Sequence, residues 1–456
     1  MHTLAQLRAG ELAGLTRLDL AESLTEFPPA IFSLADSLEI LNLSGNALTS
    51  LPPHLPRLGK LRVLFCSDNQ FTELPAVLGQ CAELEMIGFK ANQIRTLPAA
   101  ALPPRLRWLI LTDNQLATLP AELGECASLQ KLMLAGNQLT SLPETLANCR
   151  HLELLRIAAN RLDSLPPWLL TMPRLAWLAY GGNPFSAAAE DAALRRNERP
   201  QIPWSALTLH QQLGAGASGV IYRAEWQPAG STASLKAVAV KLFKGAVTSD
   251  GLPRSEMAAC LSAGQHPQLI AVEGQISGHP AGAEGLVLEL ISPEFGNLAG
   301  PPSLASCTRD VYAPGTMFTL AAALCIAHGI AAAAAHLHER GILHGDLYAH
   351  NILTTSTGES LLGDFGAACF FDSHDAASAT ALQRLEVRAF GLLLEELLAR
   401  LAPSDAAKTD AATLDALTSL QQQCGSRRLP ERPLFAEIAQ TLARLQQAES
   451  SKMAEP

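Results

Sequence analysis

A few polar residues, in a fixed order along this 456-residue chain, have the chemistry to move a phosphoryl group. Asp346 and Asn351 stand five apart in the run His344-Gly-Asp-Leu-Tyr-Ala-His-Asn351. A carboxylate at the first position can accept the proton of an attacking hydroxyl. A carboxamide oxygen at the second can hold a hard cation beside phosphate oxygens. Asp364, in Asp364-Phe-Gly366, offers a further hard oxygen ligand. Upstream, Lys241 in Val238-Ala-Val-Lys241 supplies a compact positive charge for phosphates. Glu256, in the helical stretch Arg254 to Ala263 and ten residues before His266-Pro267, is placed to pair with it. Earlier still, Gly214, Gly216 and Gly219 of Leu213-Gly-Ala-Gly-Ala-Ser-Gly219 leave out the Cβ atoms that would keep a backbone away from phosphate.

These groups span well over a hundred positions, so they do chemistry only if strands and helices bring them together. Leu209 to Ala224 has strand character on both sides of the glycines, which predicts a hairpin. A lone Gly-x-Gly-x-x-Gly can equally open a dinucleotide-binding unit, but Ile221-Tyr-Arg-Ala224 continues as strand rather than helix. Val238–Lys241 and Leu286–Ile291 read as further strands, and Leu320–Arg340 as a long helix. That helix contains the most membrane-like stretch, Leu320–Ala335. His328 and Gly329 interrupt it and it is short for a span, so it reads as buried. Ser292 to Gly315 is a Pro-, Gly- and Ser-rich loop with no readable role.

With these motifs in this order, residues 205–448 resemble the protein-kinase family. The resemblance implies an α+β bilobal fold that uses ATP and Mg2+. Leu213, Gly214, Gly216, Gly219 and Ile221 would cover the nucleotide and Lys241 would reach its α- and β-phosphates. Ala239 would leave room for adenine, Leu288 would gate the adenine pocket, and the backbone at Glu289 and Leu290 would bond the base. Glu256 would align Lys241, Asp346 would orient the acceptor hydroxyl, and Asn351 and Asp364 would hold the metal. The acceptor class implied is protein Ser/Thr in preference to Tyr. Glu386 stands where the family usually has the Asp that ties down the catalytic loop. Three departures matter. Gly345 replaces the Arg before the catalytic Asp, which removes the usual partner of a phosphorylated activation loop. Tyr348 and His350 stand where kinases place Lys or Arg. Between Gly366 and Glu386 no Ala-Pro-Glu occurs, so the peptide shelf is short.

The first half carries a repeat. Asn46, Asn69, Asn92, Asn114, Asn137, Asn160 and Asn183 recur every 23 residues, with one interval of 22. Each closes a phrase such as Leu41-Asn-Leu43-Ser-Gly-Asn46, and a Leu-Pro pair usually follows. This resembles the leucine-rich-repeat family and implies an α/β solenoid over residues 1–185. The combination resembles bacterial or receptor-like repeat kinases. A cap and linker are expected over 186–204, and a polar tail over 449–456. The interior Asn side chains should satisfy backbone groups at the turns. The outward column between the Leu residues includes Phe65, Met86, Trp108, Ile110 and Trp177. Such a column predicts a docking surface for an apolar peptide, a partner helix or the chain's own second half, with ordinary surface scatter as the alternative.

Net charge −10 without a Lys/Arg run argues against nucleic acid. The nine Cys contain no CxxC pair and read as buried thiols, and an N-terminus without a signal-like apolar run suggests a cytoplasmic protein with no membrane span. Three functions stay open at this point. They are a protein kinase recruited by its repeats, a nucleotide-binding pseudokinase scaffold, and a kinase of small molecules.

Overall fold

The computed structural model describes residues 2–196, 200–216, 218–228, 235–244, 247–248, 250–402 and 411–454. The chain divides into two compact units: Met1–Leu175 with Asn183–Phe185, and Ala176–Gly182 with Ser186–Pro456.

The first unit is a solenoid. Three-residue strands recur once per repeat: β1 (Arg17–Asp19), β2 (Ile40–Asn42), β3 (Val63–Phe65), β4 (Met86–Gly88), β5 (Trp108–Ile110), β6 (Lys131–Met133) and β7 (Leu154–Arg156). They lie in sequence order in one parallel sheet, and the second unit carries a further strand of the same length, β8 (Trp177–Ala179). The central Leu or Ile of every strand from β1 to β7 is fully buried. No single repeat could bury these side chains, and stacking them makes one continuous core. Each Leu-Pro pair ends the turn, and Pro75, Pro98, Pro120, Pro143 and Pro166 each lead into a short 3-10 helix. An extended φ with no N–H to satisfy suits that position.

The Asn ladder does the expected work. Asn92 Oδ1 accepts from Phe71 N–H and its Nδ2 donates to the Cys66 and Phe89 carbonyls. Asn114, Asn137 and Asn160 repeat the pattern. The residue before each Asn turns left-handed, at φ between 52° and 74° for Gly45, Asp68, Ala91, Asp113, Gly136, Ala159 and Gly182. Glycine takes that conformation freely, and Ala91 and Ala159 take it at a cost.

The outward column departs from expectation. Met86, Trp177, Val63, Lys131, Leu154, Arg156 and Ala179 are buried, and Phe65, Trp108 and Ile110 are only partly exposed. Neighbouring strands set these side chains one repeat apart, so they cover one another. The Phe65 ring lies where a Cβ on Gly88 would be, Trp108 Nε1 donates to Met133 Sδ, and the Lys131 ammonium sits 4.5 Å from the Trp108 ring centre. The column is thus not a row of free apolar side chains. Trp177 packs inside the second unit.

The second unit takes Ala176–Gly182, then most of the helix α2 (Pro184–Arg196), then β9 (Gln201–Pro203). The expected linker is therefore partly regular structure, because 201–203 pair in parallel with β13 (Val272–Ser277); residues 197–199 of that linker lie outside the described residues. A six-stranded sheet follows the order β10-β11-β12-β14-β13-β9, with β10 (Leu207–Ala215), β11 (Gly219–Trp226), β12 (Lys236–Phe243) and β14 (Gly285–Glu289) antiparallel to their neighbours. Helix α3 (Pro253–Ala263) packs on it through Met257 and Leu261 against Val272 and Leu286. The helical part has α4 (Leu320–Glu339) at its centre and a small sheet of β15 (Gly296–Asn297), β17 (Ile352–Thr354) and β18 (Ser360–Leu362). Between these, β16 (Ile342–Leu343) pairs with β19 (Cys369–Phe370), and the helices α5 (Ala376–Leu398), α6 (Ala411–Cys424) and α7 (Phe435–Ala454) follow. At 20 residues α4 is long and apolar enough to cross a membrane, but two-thirds of its apolar window is buried within the protein. The expected polar tail is instead the last turns of α7; residues 455–456 lie outside the described residues.

Candidate active site

The β10–β11 hairpin, β12, α3 and the segment around Asp364 enclose a cavity of about 170 Å³. Its lining includes Gly216, Gly219, Ile221, Lys241, Glu256, Leu288 and Asp364. The structure thus brings into one cavity residues that are 149 positions apart at the extremes (216 and 365).

Each glycine of the hairpin has its own reason. A Cβ on Gly214 or Gly216 would meet nothing within 4 Å, so the space over them is open. On Gly219 it would come within 2.4 Å of the Leu242 carbonyl. Gly219 is therefore required by the approach of β11 to β12, a packing reason that reading the motif as a phosphate loop does not supply.

Lys241 pairs with Glu256 Oε1, the lysine 12% exposed and the glutamate 2%. Burial alone would lower the Lys241 ammonium, but the Glu256 and Asp364 carboxylates outweigh it and hold it above its ordinary value. Lys241 therefore stays charged. Asp364 is exposed and sits at φ 52°, with Oδ1 accepting the Gly366 N–H 3.1 Å away. A non-glycine residue in left-handed backbone marks a constrained position.

Behind β16 the run 344–351 is almost wholly buried, with Asp346 and His350 its partly exposed members. His344 is fully buried and holds the Gly363 carbonyl at 2.8 Å, and Asp346 N–H points at its Nδ1. Asn351 Nδ2 donates to the Asp346 carbonyl at 2.9 Å and to its Oδ2 at 2.8 Å. With the amide nitrogen engaged, the Asn351 carbonyl oxygen is the group left for a cation. Glu386 does the tie-down work expected of an Asp. Its Oε1 accepts the Gly345 N–H at 2.6 Å, and Oε2 meets His338 Nε2 at 2.7 Å. Burial pushes the Glu386 carboxyl up, but these hydrogen bonds override it and hold it below the ordinary range.

Some expected residues do not line the cavity. Leu213 is half exposed on β10, Ala239 is buried in β12, and Asp346 and Asn351 lie outside the lining. Glu289 and Leu290 border a separate groove with His266, Pro267 and Phe295, and the Glu289 N–H is committed to the Ala271 carbonyl. Other participants were not legible beforehand. Asp310, from the loop without a readable role, is 7% exposed and takes both the His350 N–H and Nδ1–H, at 3.1 and 2.7 Å. Burial would lower the His350 imidazole, and Asp310 instead raises it.

The donor set fits a hard divalent cation. Asn351 and Asp364 offer neutral and anionic oxygens of the kind magnesium takes. Among the described residues no group of three or more His, Cys, Asp or Glu side chains is placed to hold a metal ion.

Comparison with known families agrees with this geometry. Residues 207–392 match the model described as protein tyrosine and serine/threonine kinase, and residues 104–162 and 37–58 match leucine rich repeat models. The chain is 31% identical over 178 residues to the serine/threonine-protein kinase mos of Gallus gallus, covering 37% of this chain and 48% of that protein. It is 29% identical over 182 residues to cyclin-dependent kinase 11B of Rattus norvegicus, with coverages of 39% and 38%. It is 27% identical over 181 residues to the serine/threonine-protein kinase PITSLRE of Drosophila melanogaster, with coverages of 39% and 18%. The chain spans less than half the length of each of these relatives.

Proposed function

We propose that this chain, a leucine-rich-repeat array joined to a protein-kinase domain, transfers the γ-phosphoryl group of ATP to a protein hydroxyl, Ser or Thr in preference to Tyr. The observation that carries the reading is the formed Lys241–Glu256 pair in the same cavity as Asp364. That pair and the metal-binding Asp are both required in an active kinase.

In this reading the open backbone at Gly214 and Gly216 lies over the phosphates, with Leu213, Gly219 and Ile221 completing the hairpin. Leu288, which lines the cavity, would border the adenine. Lys241 holds the α- and β-phosphates as a fixed charge, oriented by Glu256. Asn351 and Asp364 would hold Mg2+, which when bound neutralises phosphate charge. Asp346 faces the acceptor hydroxyl, and its Oδ2 is held by Asn351, so it is oriented before substrate arrives. It takes the hydroxyl proton as the new P–O bond forms and the bond from the γ-phosphorus to the bridging oxygen breaks, with ADP as the leaving group.

The repeats are protein-interaction elements. We place the partner or substrate on the partly exposed residues Phe65, Trp108 and Ile110, where docking would raise the local concentration of acceptor. A cytoplasmic setting is part of the same reading. A second reading, a nucleotide-binding switch without transfer, draws on Tyr348, which is 5% exposed where a Lys would otherwise assist. Titration of Mg-ATP against Lys241→Met separates nucleotide recognition from fold. Expected is at least a tenfold weaker affinity with an unchanged melting midpoint, about 1.4 kcal/mol of lost phosphate contact. Equal affinity would remove Lys241 from the site.

A further inference from the structure

Residues 176–191 are bound to three separate parts of the candidate machinery. The first is the catalytic loop. Trp177, 1% exposed, donates from Nε1 to the Leu347 carbonyl at 3.0 Å and stacks on Tyr348 with ring centres 4.0 Å apart and planes within 6°. Gly345, at φ 72°, has no room for a side chain. A Cβ there would come within 2.4 Å of the Ala367 carbonyl and 2.8 Å of the Leu178 carbonyl. The chain's own backbone therefore fills the space where an Arg would begin.

The second part is the segment after Gly366. Tyr180, fully buried, donates its hydroxyl to the Phe370 carbonyl at 3.0 Å, and its N–H meets Cys369 Sγ at 3.3 Å. The third is α3. Glu190, 5% exposed, accepts from Gly182 N–H and the Ser186 hydroxyl through Oε1, and from the Ser255 hydroxyl through Oε2, all at 2.7 Å. Ser255 immediately precedes Glu256, and Arg254 pairs with Asp191 at 2.8 Å. A buried carboxylate with three such donors is strongly held.

We propose that residues 176–191 are a built-in clamp, with Trp177, Tyr180 and Glu190 as positioning residues that fix the catalytic loop, the post-Gly366 segment and α3 in the arrangement loop phosphorylation would otherwise enforce. In many kinases a phosphorylated activation loop paired with arginine orders these parts. Here the arginine is Gly345, and Ser373, exposed, is the one Ser, Thr or Tyr between Gly366 and Asp375. The Leu178 carbonyl of the clamp, together with the Ala367 carbonyl, occupies the ground the arginine would need. This inference rests on the kinase reading for its activity arm and stands apart from it in its exchange arm.

The test compares full-length wild type, Ser373→Ala, Glu190→Ala and the conservative Trp177→Phe. The last keeps a ring on Tyr348 and loses the indole N–H. Phosphate transfer should survive Ser373→Ala and phosphatase treatment within twofold. Glu190→Ala should lower kcat at least tenfold, and Trp177→Phe severalfold, with Kd for Mg-ATP changed less than threefold. Hydrogen–deuterium exchange should rise in α3 for Glu190→Ala and in 345–348 for Trp177→Phe while the solenoid amides stay unchanged. Wild-type kcat in both clamp variants, or loss of activity on phosphatase treatment, overturns the clamp. If no form transfers phosphate, the kinase reading has failed, and the exchange result alone decides: raised local exchange supports the clamp and unchanged exchange overturns it.

Discussion

At the scale of single residues, conformation and charge make separate demands. Ala159 lies at φ 53° in a turn where Gly45, Gly136 and Gly182 stand in other repeats. Left-handed backbone costs an alanine about 1–2 kcal/mol, partly offset by the extra unfolded-state freedom of glycine. Ala159→Gly should therefore stabilise the solenoid by about 0.5–1 kcal/mol, read as a higher denaturant midpoint with unchanged m. A lower midpoint would place the strain elsewhere. Charge dominates at Glu396. Burial, with Asp310 nearby, raises its carboxyl from 4.5 to about 7, although the Tyr312 hydroxyl donates to it at 3.1 Å. The folded protein then holds a proton that the unfolded chain releases between those values. Stability should fall as pH rises from about 4.5 to 7, by about 1–3 kcal/mol. Glu396→Gln keeps an acceptor for Tyr312 and removes the titration. The difference in midpoint between wild type and variant should favour the variant at pH 8 and vanish near pH 4. A difference that does not change with pH would contradict this.

At the scale of elements, local pattern and tertiary contact divided what could be read. The 23-residue recurrence of Asn and the Leu-x-Leu phrases foretell strands β2–β7, since one repeat's needs are written into each repeat. The strand after Gly219 was legible in its local pattern, and the pairing of Lys241 with Glu256 through the resemblance to the kinase family. The outward column was read with the right direction, and at Trp177 the chain's own second half, one of the occupants expected, is what covers it. Alternation along a strand says which face Trp177 presents, but not that Tyr348 lies against it. Asp310 and Glu190 were missed for the same reason. Each gains its role from a partner 40 or 65 residues away, in stretches with no period. Gly345 stood out as a departure, and its cause lies in the Ala367 and Leu178 carbonyls, whose approach no local pattern encodes.

At the scale of the whole molecule, the unit boundary does not coincide with the end of the repeat pattern. Ala176–Gly182 continues that pattern in sequence but belongs to the second unit by its packing. A truncation starting at Ala176 should retain transfer to a generic acceptor within about threefold, while one starting at Asn183 should lose at least tenfold, about 1.4 kcal/mol in the barrier. Both should lose transfer to a partner recruited by the repeats. Equal rates from the two truncations would show that the segment contributes nothing to turnover. The central claim is that Lys241, Glu256, Asp346, Asn351 and Asp364 act around one triphosphate. Its most direct measurement is transfer of labelled γ-phosphate from ATP by the full chain, wild type against Asp346→Asn, with Mg-ATP affinity measured on the same samples. Expected are transfer by the wild type and a loss of at least a hundredfold, roughly 2.7 kcal/mol or more, in the variant at unchanged affinity. Nucleotide binding by both with transfer by neither would contradict it.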